Sequence, residues 1–202
     1  ALRALRYGAT DEATRSIALP PSVRASVSPT ISALRWGAVG YGLVLSAPDA
    51  FEGSYAAVAT LAVCLFITTW RTIIPIRLGS EHPSERLAAY GDVAVLAFAT
   101  GFSGGVESPF IVSVMIALIV VAFGWGYVDG AIALVLGSGS MLGGVLLGSS
   151  RLSDQLNDQR DLTTCLTVLL AVLTAAAVRN RLLESERRRV ALLGEVESLN
   201  EA

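Results

Sequence analysis

Few residues in this 202-residue chain are of types that could do chemistry. His82 is the only histidine and lies in a short arginine-bearing loop. That excludes a His/Cys metal cluster, bis-histidine haem ligation and a Ser-His-Asp triad within the chain. Cys64 and Cys165 both fall in apolar blocks, where cysteine behaves as a small buried apolar residue, so no disulfide framework and no redox or metal role is expected. There is no GxxxxGK[ST] and no glycine-rich nucleotide loop. The expectation is no catalytic set, no metal and no cofactor.

Two features remain. Asp92 lies about five residues into an apolar run, roughly 7 to 8 Å below its start at about 1.5 Å per residue. A carboxylate at that depth is costly unless it faces a bundle interior, a partner or a water-filled cavity. Two readings stand open: a polar site that tunes the bundle or binds a ligand, or an interfacial acid reaching Arg35, Arg71 or Arg86, or the hydroxyls of Thr68 and Thr69. The second feature is the turn Gly104-Gly105-Val106-Glu107-Ser108-Pro109-Phe110. Its two glycines allow positive φ. Ser108 is expected to cap the following helix with Pro109 at the first position and Glu107 near its positive end. From the residues alone this is a tight turn between helices.

The elements that must carry these residues follow from composition. The chain is 53% apolar and 16% charged, with a mean hydropathy of +0.60. Ordinary soluble domains are about 45 to 50% apolar and about 25% charged. The apolar residues come in blocks at 31–47, 54–76, 87–102, 109–123, 128–148 and 162–178, with Ser84 as the expected cap of the third. Blocks of about 17 to 20 residues are long enough for a bilayer core of about 30 Å. The predicted fold is all-α: a polytopic membrane bundle of six transmembrane helices followed by a C-terminal cytoplasmic signalling helix. All 15 basic residues are arginine, which reads as base-composition bias. The same numbers argue against a nucleic-acid partner, a secreted disulfide scaffold and a soluble enzyme.

Residues 1–30 hold Arg3, Arg6, Arg15 and Arg24 among Pro20, Pro21 and Pro29, with no apolar run of about seven or more, so a cleavable signal peptide is not expected. This stretch reads as a mobile cytoplasmic tail whose first residues, ALRALR, could start a short surface helix. The absence of an initiating Met reads as processing or as a piece of something longer. With the N-terminus cytoplasmic, Arg3, Arg6, Arg15, Arg24, Arg35, Arg71, Arg77, Arg86, Arg179, Arg181, Arg187, Arg188 and Arg189 fall on that side, and only Arg151 and Arg160 on the other. This is a positive-inside pattern, and an even number of spans places both termini in the cytoplasm. Trp36, Trp70 and Trp125 are expected at the same interface. The opposite face has only short loops at 47–53, 101–108 and 149–161. Small residues mark expected helix contacts: Gly139 and Gly143, Gly144 and Gly148 in the fifth block, and Gly37, Gly40 and Gly42 in the first.

After Val178 the sequence changes to RNRLLESERRRVALLGEVESLNEA, rich in helix formers and mixed charge. Leu192, Val196 and Leu199 alternate four- and three-residue spacing, which predicts a coiled-coil dimer seam continuous with the sixth span. A solvated juxtamembrane helix is the alternative.

GDVAVLAFATG, GGVESPF, the GWGYVDG turn and a last span running into RLLESERRRVALLGEVESLNEA together resemble the multi-pass N-terminal input regions of actinobacterial-type sensor histidine kinases. The resemblance covers roughly residues 31–202, and the GGxxSPF turn is its most distinctive part. With the residue reading, the expected organisation is a tail at 1–30, a six-helix sensor domain at 31–178 and a juxtamembrane coiled coil at 179–202. The resemblance further implies a homodimer in the plasma (inner) membrane of a bacterium that passes a small-molecule, lipid or protein signal to a cytoplasmic kinase domain downstream. The histidine box and the ATP-binding boxes have no counterpart here, so the catalytic half is absent from this chain. In that reading Asp92 with Gly104, Gly105, Glu107, Ser108 and Pro109 are the candidate signal-sensing residues. The competing expectation is a small transporter or a membrane subunit of a larger complex.

Overall fold

The computed structural model of the chain describes residues 21–80, 82–148 and 159–200, and among these every regular element is helical. Six α-helices follow one another: α1 Pro21–Phe51, α2 Tyr55–Ile73, α3 Pro83–Phe102, α4 Ile111–Trp125, α5 Tyr127–Leu147 and α6 Gln159–Asn200. A single 3-10 turn, Gly105–Glu107, lies between α3 and α4.

The helix ends show where local chemistry acts. Helix α1 starts ten residues before the expected span, with Pro21 at a first position where its missing N–H costs nothing. Residues 21–30, expected within the N-terminal tail, are thus helical and continuous with the first apolar block. Pro29 and Pro48 both lie inside α1, so the expected stop at Pro48 is passed. The chain turns instead at Gly53, whose φ is +89°, while Ser54 N donates to Asp49 O at 2.9 Å. Ser54 then caps α2, its Oγ accepting from Ala57 N at 3.4 Å. Helix α2 closes before Pro75, which disfavours the helical region for the residue ahead of it, so residues 74–76 are loop. Helix α3 begins at Pro83, and Ser84 is inside it: the cap position falls to His82, which supplies no side-chain bond. Proline at the first position sets that boundary, where a serine cap was expected.

Helix α4 is the hub. It packs on α1, α3, α5 and α6, and nine of its 15 residues are buried. The most extensive pairing is α3 on α5. Gly101 faces the backbone of Met141, and Gly144 and Gly148 face the backbone between Phe98 and Phe102. A methyl group at any of the three would overlap main-chain atoms, so the two helices approach as only small residues allow.

The outer surfaces are apolar. Phe66, Val135, Leu146, Leu147, Leu166 and Leu170 are each more than 60% exposed. Three helical segments, Tyr55–Ile73, Tyr127–Leu147 and Leu166–Ser185, are long and apolar enough to cross a membrane, yet only 22%, 28% and 17% of their apolar windows are buried inside the chain. Contiguous outward apolar faces of this size suit hydrocarbon, not water. Helix α4 is apolar but has 15 residues, about 22 Å of rise, and it is surrounded by its neighbours.

Candidate functional site

The charged side chains that pair between helices gather at one end of the bundle, near the start of α3. There Arg71, on the last turn of α2, meets Asp92 of α3 in a two-pronged contact: Nε donates to Oδ2 at 2.7 Å and Nη2 to Oδ1 at 2.8 Å. Nη2 also reaches Ala88 O at 3.1 Å. The planar guanidinium fork matches a carboxylate edge, which makes this the strong form of the contact. From α1, Arg35 Nη2 approaches Asp92 Oδ2 at 3.7 Å. Asp92 is therefore tied to Arg71 and Arg35, whereas Arg86 and the hydroxyls of Thr68 and Thr69 are not its partners. Burial of the three side chains, 8 to 13% exposed, fixes α1, α2 and α3 against one another.

A second cluster repeats the proportions. Asp129, in the first turn of α5, accepts from Tyr90 Oη at 2.5 Å and lies 3.8 Å from Arg86 Nη1. Beside it Arg179 of α6 is 5% exposed and its Nε donates to Gly124 O of α4 at 3.3 Å. Gly126, with φ at +101°, lets the α4–α5 turn pass this guanidinium: a methyl there would come within 3.2 Å of Arg179 Nη1. Sequence reasoning missed Asp129, Tyr90 and Arg179. The available signal was topological, because Asp129, Arg86 and Arg179 fall at the same end once the spans are threaded.

The tryptophans occupy this end as well. Trp36 Nε1 donates to Thr72 Oγ1 at 3.1 Å, linking α1 to α2, and Trp70 stacks on Phe66 with centroids 6.2 Å apart. Trp125 differs from the interfacial role expected of it. It is 7% exposed and its Nε1 donates to Ser80 O at 2.9 Å, so it pins the loop after α2 to the hub helix at Ser80.

At the other end lies the glycine turn, separated from Asp92 by about 15 Å of helical rise along α3. The structure thus does not bring Asp92 together with Gly104, Gly105, Glu107, Ser108 and Pro109. Gly104 and Gly105 have φ of +122° and +66°, the left-handed conformations for which glycine is suited. Ser108 does not cap α4 as expected: the helix starts at Ile111, and Phe110 occupies the cap position. Ser108 is instead 3% exposed, shares a 2.8 Å hydrogen bond with Ser103 Oγ and accepts weakly from Phe110 N at 3.4 Å. Pro109 therefore precedes the helix inside the turn, and Glu107 is exposed in the 3-10 segment. Phe110 is 1% exposed and faces Gly42 of α1, where a methyl would meet its ring at 2.6 Å. Behind the turn is an apolar cavity of about 280 Å³ walled by Val106, Ile111, Leu118, Leu134, Met141 and Val168, among others.

Among the glycines expected at contacts, Gly144 and Gly148 meet α3. Gly143 has only ordinary contact with the Phe98 ring, and Gly139, Gly37 and Gly40 have open space beside them within this chain. Cys64 is fully buried with a free thiol. The side chains of Cys165, Leu192, Val196 and Leu199 lie outside the described residues, as do the whole of residues 1–20 and 149–158. Among the described residues no group of three or more His, Cys, Asp or Glu could hold a metal ion.

Chemically, the two clusters offer fixed charge, with one tyrosine hydroxyl held on a carboxylate in the second. Among the described residues every regular element is helical, and three helices long and apolar enough to cross a membrane, with apolar faces turned outward, are consistent with a membrane protein. No family model matches the chain, and neither a curated protein nor a solved structure is significantly similar to it.

Proposed function

We propose that the chain is the membrane input module of a sensor histidine kinase, with α1 to α5 and the first half of α6 as its six spans and the rest of α6 as its output helix. The observation that carries this reading is the continuity of α6. Its 42 residues rise about 63 Å, roughly twice a bilayer core of about 30 Å. Its segment from Leu166 packs on α4 and α5, and past Arg179 the same helix becomes mixed in charge, with Arg188 Nη2 meeting Glu184 Oε1 at 2.6 Å on an exposed face. A stiff element that leaves the membrane without a break transmits displacement to whatever follows it.

In this scheme the arginine-rich end faces the cytoplasm, as the thirteen-to-two split favours. The apolar cavity behind the glycine turn touches α4, α5 and α6 together, so a stimulus acting there would shift the output helix directly. Arg179 clamps α6 to the end of α4 at the point of exit. Pairing of α6 with its copy in a homodimer, along Leu192, Val196 and Leu199, would carry that shift to a catalytic core downstream.

The test joins the chain through Ala202 to the dimerisation and ATP-binding core of a histidine kinase. Inserting one to four alanines after Leu193 should switch autophosphorylation up and down with the helical repeat, and Arg179→Ala should fix the output in one state. Activity indifferent to both changes would overturn the input-module reading.

A further inference from the structure

The Asp92 cluster sets two guanidinium groups against one carboxylate, and the surplus charge has a direction. Arg71 uses Nε and Nη2 on Asp92 and Ala88 O. Arg35, by contrast, makes no hydrogen bond among the described residues, its approach to Asp92 Oδ2 being 3.7 Å, although its side chain is 13% exposed. Donors withdrawn from water to that degree are costly unless an acceptor meets them. Both arginines line one recess between α1, the loop after α2, and α4. Ser28 and Ser32 of α1 add two hydroxyls to its wall, and Leu78 and Val120 give it an apolar side. The recess is small, about 30 Å³, and open at its mouth, and no acid is part of its wall.

The recess thus carries two cations and two hydroxyls against the single carboxylate of Asp92, which pairs with both arginines from outside the lining, and the donors left over suit a compact oxyanion. Arginine forks suit tetrahedral phosphate, whose oxygens accept several N–H and O–H donors at once. The recess lies at the end of the bundle where the other arginines gather, the depth at which lipid headgroups lie beside a membrane protein. We propose that Arg35, Arg71, Ser28 and Ser32 form a binding site for one phosphate group, carried by an anionic phospholipid or by a soluble phosphate. The site balances the charge that Asp92 leaves over and locks α1 to α2. It does not depend on the output assigned to α6.

The test uses the full chain in mild detergent with phosphatidylglycerol, phosphatidylcholine or inorganic phosphate, read by native mass spectrometry and thermal unfolding. Wild type is compared with Arg35→Gln, and with Ser32→Glu, which leaves every ion pair in place and sets a negative charge in the recess. The expected result is retention of one phosphatidylglycerol, a raised unfolding temperature with it, and binding roughly fivefold or more weaker in both variants. An equal, Arg35-dependent response to inorganic phosphate would support the site and assign the soluble source. Lipid retention and phosphate response that are both unchanged in Arg35→Gln and Ser32→Glu would overturn it. Should Arg35→Gln fail to fold, Ser32→Glu alone decides between these outcomes.

Discussion

Asp92 is 8% exposed at its side chain and accepts two short hydrogen bonds from one guanidinium, so its charge and that of Arg71 stand or fall together. Removing one partner of such a buried pair costs about 3 to 5 kcal/mol, because the other is left uncompensated. Asp92→Asn is therefore expected to lower the unfolding temperature in detergent sharply, and Arg71→Gln to do the same. The double variant should lose much less than the sum of the two, the mark of a direct interaction in a double-mutant cycle. Additive losses would show that each residue acts through other neighbours. Asp92 was legible in the sequence because an acid inside an apolar run has few innocent explanations. Asp129 was not, because it sits in a turn-like GWGYVDG where acids are ordinary, and only the fold brings Tyr90, Arg86 and Arg179 to it.

Helix boundaries were less legible than helix existence, and the reason is proline. Pro21 and Pro83 open α1 and α3 ahead of the apolar blocks that announced them, while Pro29 and Pro48 lie within α1 without ending it. Small-residue spacing pointed to the fifth block as a packing helix, but a pattern read along one strip cannot say which glycine of a pair faces a neighbour. Gly144 has the Phe98 carbonyl and Phe102 amide where a methyl would go, and Gly139 has nothing within 4 Å. Gly144→Ala must therefore push α5 away from α3, an overpacking cost of about 1 to 3 kcal/mol. Gly139→Ala should leave stability equal or slightly raised, since alanine favours helix by about 1 kcal/mol over glycine. Thermal unfolding of the two variants in the same detergent checks the contrast, and equal losses would refute the α3–α5 contact as described. At the same scale, cysteines placed singly from Arg187 to Asn200 along α6 should crosslink between copies with a period of about 3.5 residues if that helix pairs in parallel. A flat profile would remove the dimer seam at Leu192, Val196 and Leu199.

For the whole molecule the deciding helix is α3. By length and composition α2, α5 and part of α6 can cross a membrane, whereas α3 carries Glu85, Arg86 and Asp92 in its first half. Its 20 residues rise about 30 Å, the thickness of a bilayer core, so it spans only if its acid is neutralised within the bundle and its first turns lie in the headgroup layer. The Arg71 fork on Asp92 meets the first condition, and the pairing of Arg86 with Asp129 near the start of α5 fits the second. His82 and Glu107, both exposed, flank α3 and nothing else regular except the 3-10 turn. In a background with Cys64→Ala and Cys165→Ala, a cysteine at Glu107 should label in intact cells with a membrane-impermeant maleimide, and a cysteine at His82 should label only after permeabilisation. The reverse pattern would invert the orientation drawn from the arginine split. Labelling of both positions from one side would mean that α3 returns without crossing, and the six-span arrangement would fail with it.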